Sequence, residues 1–112
     1  MIGVDMSANG FACAAGAQDF TATEYRDDKR KRWVTVKGTC SCQTPGYTLT
    51  LELTSPPFSP DELHLDLTED APDGLVTQVI TPTSVEGTFE ISDEVERVVI
   101  RNRNFSVPIK EG

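Results

Sequence analysis

Tyr47-Thr48-Leu49-Thr50-Leu51-Glu52-Leu53-Thr54 decides the fold class. Tyr47, Leu49, Leu51 and Leu53 share one parity, whereas Thr48, Thr50, Glu52 and Thr54 share the other. In an extended chain successive side chains alternate between faces, so the first set meets a core and the second meets water. A helix would scatter the same leucines around its circumference. A strand with one wet face belongs to an antiparallel sheet.

The same alternation runs outward in both directions. Thr44-Pro45-Gly46-Tyr47 is a turn, preceded by a strand from Trp33 to Gly38 that continues toward Cys42 and by a weaker one over Phe20–Tyr25, with Arg26–Arg30 turning the chain between them. On the other side, Ser59-Pro60-Asp61-Glu62 matches a capping box with proline at the first helical position and predicts one helical turn. Leu63–Leu67, Leu75–Thr81, Val85–Ile91, Arg97–Arg101 and Phe105–Ile109 read as further strands, Gly87 as a bulge, Ser92–Glu96 as a polar connector and Asn102–Asn104 as a tight hairpin. Pro108, lacking an N–H, marks the last strand as an edge. Seven or eight short strands at this spacing predict an immunoglobulin-like antiparallel β-sandwich, with a small β-barrel as the runner-up. The Cys…Trp…Cys order of antibody domains is absent, since Trp33 precedes Cys40 and Cys42. The expectation therefore covers architecture and no family.

The chain has 112 residues, enough for one core and too few for two. Residues 1–18, rich in Gly and Ala without a sustained period, are expected to form a flexible arm, and residues 19–112 the single domain. Its only early apolar stretch, Phe11–Ala17, follows Asp5 instead of a basic segment, so no signal peptide is expected, and the cytoplasm is favoured over secretion. The net charge of −8 opposes attraction to nucleic acid or to anionic membranes, and neither is expected as a partner.

Three cysteines cannot complete a disulfide framework. Cys40 and Cys42 share parity with Val34 and Val36 and are expected to be buried free thiols. The alternatives are a disulfide from Cys13 to one of them, or a metal site combining Cys13, Cys40 and Cys42 with His64, although His64 lies on the exposed polar parity beside Asp66. Glu69, Asp70 and Asp73 in one loop, with Asp61 or Asp93 converging on them, have the oxygen chemistry for calcium, but without EF-hand spacing the expected state is a solvated turn. The single histidine lacks a nucleophile or second titrating group placed for catalysis, and no glycine-rich phosphate loop exists, so neither an enzyme nor a cofactor is expected.

Charge is laid out in blocks. Residues 43–96 hold 12 acidic side chains and no Lys or Arg. The 10 basic residues cluster in the first hairpin (Arg26, Lys29, Arg30, Lys31, Arg32, Lys37) and near the end (Arg97, Arg101, Arg103, Lys110). If these strands neighbour each other, Lys29, Arg30, Lys31 and Arg32 with Trp33 merge with Arg101 and Arg103 into a positive patch on a negative body, suited to an acidic protein partner. The competing role for the same cations is to pair with adjacent strands and guard sheet edges. The sequence thus predicts a non-catalytic β-sandwich that binds another protein through edge strands or loops. Alternatives are a thiol or metal site at the cysteines and a calcium-dependent ligand-binding module.

Overall fold

A computed structural model describes residues 11–54, 60–74 and 76–111. The protein is all-β, with β1 (Cys13–Ala14), β2 (Phe20–Arg26), β3 (Arg32–Cys42), β4 (Thr48–Leu53), β5 (Glu62–Asp70), β6 (Thr81–Ile91), β7 (Arg97–Ile100) and β8 (Phe105–Glu111). They form one open mixed sheet in the order β1-β3-β2-β8-β7-β5-β4, while β6 pairs along the opposite side of β3. Among the described residues no helix is long and apolar enough to cross a membrane.

β3 organises one half. Its Val34, Val36, Cys40 and Cys42 are buried on one parity, Val34 and Val36 between β2 and β6, and Cys42 between β1 and β6. Gly38 stands opposite Phe20, whose ring occupies the space a Cβ would need and also packs, tilted by 54°, at 5.4 Å from the Phe105 ring. The other half is β4, β5 and β7, with Leu51, Leu65, Leu67, Val98 and Ile100 buried. β8 joins the two halves. Residues 105–108 pair antiparallel with β7, and residues 109–111 pair parallel with β2.

Several expectations change. Two pairings, β2 with β8 and β5 with β7, are parallel, so the sheet is mixed instead of antiparallel throughout. Pro108 does not mark an edge: β8 is internal, and the proline sits at the last β7 pairing, just before the ladder passes to β2 at Ile109. A residue without an N–H is tolerated where one ladder ends and another begins. Gly87 is no bulge, because it pairs in register with Val36; its missing side chain leaves room for the Phe89 ring and for Leu51 of β4. Leu53 is 62% exposed at the end of the outermost strand, unlike its partners in parity. Glu62 begins β5 instead of closing a helical turn, the rest of which lies partly outside the described residues.

The expected strand over Leu75–Thr81 is also absent where it can be described, with Leu75 itself outside the described residues. The reason is length. Thr81 already faces Cys42, the last residue of β3, so residues 76–80 have no strand left to pair with. Finally, the sheet reaches into the stretch expected as an arm: Cys13 faces Cys42 and is joined to it by a disulfide.

Candidate functional site

The β2–β3 hairpin turns through Asp28, Lys29 and Arg30. Arg30 N–H donates to Asp27 O at 2.9 Å, and Asp27 N–H donates to Lys31 O at 3.0 Å. This is a tight turn followed by one left-handed residue, the usual form of a three-residue hairpin loop. The left-handed residue is Arg30, at φ 67°, where a glycine would be unstrained. Asp27 supplies the rigidity. One carboxylate oxygen accepts from the Lys29 and Lys31 N–H groups and the other from the Trp33 indole, all at 2.9 Å. These bonds, the indole's foremost, hold the Asp27 carboxyl below its ordinary pKa.

The cations around this turn divide into two kinds. Arg26 pairs with Asp93 at 2.9 Å and Lys31 with Glu90 at 3.7 Å. Arg32 is interior: its Nε donates to Glu24 at 2.6 Å and its Nη1 donates to Ser92 O and Val95 O at 2.8 Å, which ties the β6–β7 connector to β3. The Arg32 hydrogen bond holds the Glu24 pKa down. By contrast Lys29 and Arg30 are exposed, with no ion pair among the described residues. Tyr25 faces Trp33 across the ladder at the base of the turn, Tyr25 exposed and Trp33 half-buried. Neither Tyr25 nor Asp27 stood out in the sequence, although an aspartate opening a short charged turn is itself a turn signal.

Arg101 and Arg103 lie elsewhere. Arg103 binds Cys13 O at 2.6 Å, and Cys13 faces Cys42 at the far end of β3 from Arg32. Ten residues of strand separate those ends, about 33 Å, several screening lengths at physiological salt. β2 and β8 are neighbours, as the merged patch required, yet Lys29–Arg32 lies at one end of β3 and Arg103 at the other.

Arg103 is also buried, with a side chain 5% exposed. Its Nη2 donates to Glu69 at 3.0 Å, and its guanidinium stacks 3.7 Å above the Phe11 ring. Glu69 further accepts from the Ala12 and Cys13 N–H groups at 2.7 and 3.1 Å. Burial lowers the Arg103 pKa, opposed by the Glu69 charge. Arg101 is exposed and reaches Thr54 at 3.4 Å.

The alternative ligand sets are occupied otherwise. Cys13 and Cys42 form the disulfide, which corrects the expectation of two free thiols, while Cys40 stays reduced and buried, its pKa raised by desolvation. His64 is half-buried instead of exposed, bonded at 2.8 Å to Glu62, which also binds Arg97 at 2.6 Å. Glu69 turns toward Arg103, away from the exposed Asp70 and Asp73. Among the described residues no three His, Cys, Asp or Glu side chains converge as a metal site. Comparison with protein-family models, with curated proteins and with solved structures finds no match.

Proposed function

We propose that this chain is a non-catalytic interaction module, an immunoglobulin-like β-sandwich that binds an acidic surface of another protein through the tip of its β2–β3 hairpin. One observation carries the reading: Lys29 and Arg30 project, without ion pairs among the described residues, from a turn that Asp27 fixes at three hydrogen bonds, with Tyr25 and Trp33 on the same hairpin. A prepaid loop conformation removes an ordering cost from binding, and exposed cations speed encounter with an acidic partner. An arginine in left-handed backbone where glycine is easier is strain of the kind that accumulates at functional sites. For the sandwich, the support is β8 serving both halves and Leu51 of β4 lying against Gly87 of β6. The disulfide favours an oxidising compartment over the cytoplasm expected from the sequence.

The test uses a fluorescent glutamate-rich peptide as probe and reads its anisotropy. Binding should weaken as salt rises, and Lys29→Glu with Arg30→Glu should weaken it roughly tenfold or more, the equivalent of about 1.4 kcal/mol. Arg30→Asn should remove part of the affinity without loss of stability, because asparagine tolerates left-handed backbone. Unchanged affinity in the double mutant, with stability or solubility lowered instead, would assign these cations to edge protection.

A further inference from the structure

Between Asp73 and Glu86 the chain carries no charged side chain, although the protein as a whole has a net charge of −8. Within that stretch Val76-Thr77-Gln78-Val79-Ile80 is β-branched at every position except Gln78 and joins no ladder. Val79 and Ile80 are 52% and 65% exposed. The bonds it makes are local: Val79 N–H donates back to Thr77 O at 3.0 Å, and the Thr81 hydroxyl donates to Val79 O at 2.9 Å. A bond spanning two residues is a poor substitute for a ladder bond. The neighbouring edge is guarded, since β6 exposes Pro82, Glu86 and Glu90, but residues 76–80 have no such protection.

We propose that residues 76–80 pair antiparallel with the same residues of a second copy of this chain, giving a two-fold dimer centred on Gln78. An isologous contact requires a segment that complements itself when reversed. This one does: about Gln78, Val76 meets Ile80 of the second copy and Thr77 meets Val79, so β-branched residues face each other at every pair off the axis. Charge also selects a second copy. Two acidic bodies repel, and they approach at least cost where neither presents a charge. The contact therefore tightens as salt screens the bodies, the opposite of what an acidic ligand does at the hairpin. The proposal concerns a different surface and does not depend on the hairpin reading.

Sedimentation of the intact protein over a range of concentrations and salt tests it. A monomer–dimer equilibrium that shifts toward dimer with salt is expected, weakened roughly tenfold or more by Val79→Glu, which sets two new carboxylates in the contact. Register is read with Gln78→Cys, whose thiol lies on the two-fold axis and should form a covalent dimer on air oxidation, whereas the exposed Ser84→Cys should not. Arg30→Asn should leave the dimer intact. A monomer under all conditions overturns the proposal, as does a dimer insensitive to Val79→Glu, equal cross-linking through Ser84→Cys, or a dimer lost with Arg30→Asn.

Discussion

Replacing Arg103 with methionine keeps most of the side chain's volume and removes its charge. In the folded protein the Glu69 carboxylate, whose side chain is 14% exposed, then loses its cation and keeps only the Ala12 and Cys13 N–H groups. Cys13 O loses its 2.6 Å donor at the same time. Breaking one partner of a buried pair costs about 3–5 kcal/mol, far more than the pair contributes relative to apolar residues, because an uncompensated charge stays behind. Against the ~5–15 kcal/mol that holds a domain together, Arg103→Met should bring the fold near the edge of stability. Urea denaturation followed by Trp33 fluorescence, with the disulfide intact, measures this. Glu69→Gln in the same chain should restore about 0.5–3 kcal/mol, the coupling of residues in one network. A loss below about 1 kcal/mol for Arg103→Met, typical of exposed ion pairs, would refute the buried role and return Arg103 to the surface patch read from the sequence.

Thiol titration under denaturing conditions without reductant should find one free thiol per chain, Cys40, which should resist labelling in the folded protein. Reducing the disulfide, which spans 29 residues, should cost roughly 3.6 kcal/mol by the loop-closure relation. Acid should also destabilise the fold. Glu24, Asp27 and Glu62 hold their protons more weakly when folded, through Arg32, through Trp33, and through His64 and Arg97 respectively, so their contribution is complete above the ordinary carboxylate values of 3.8 to 4.5 and is lost as pH falls below them. A denaturation midpoint that is flat through that range, or equally steep in Glu62→Gln, would contradict this.

Strand positions were legible because alternation is local: the registers of Val34, Val36, Leu51, Leu65 and Leu67 follow from parity alone. What parity cannot supply is the neighbour. Pro108 reads as an edge residue in isolation, and only the handover of β8 from β7 to β2 shows why it is accommodated inside the sheet. Residues 76–80 have the composition of a strand and, among the described residues, no ladder partner, because β3 ends at Cys42, a fact about another segment of the chain. The same holds for the site. Lys29 and Arg30 were visible as charge, but the burial of Arg32 and Arg103 depends on Glu24, Ser92 and Glu69, far away in sequence or across a ladder.

The shared strand β8 imposes an order of events on folding. Its last residues meet β2 at Ala22–Glu24, across 87 positions of chain between Ala22 and Ile109. Closing a loop of that length costs roughly 4 kcal/mol of chain entropy before any contact returns it. The β2–β3 hairpin and the β7–β8 pair are local and can assemble at once, whereas the parallel seam must wait until both exist, which places this protein among slowly folding, high-contact-order topologies. Residues 109–111 act as the latch of the whole sheet: until they engage, β2 has an open side, and the two halves of the molecule remain separate unfinished sheets with bare edges toward each other.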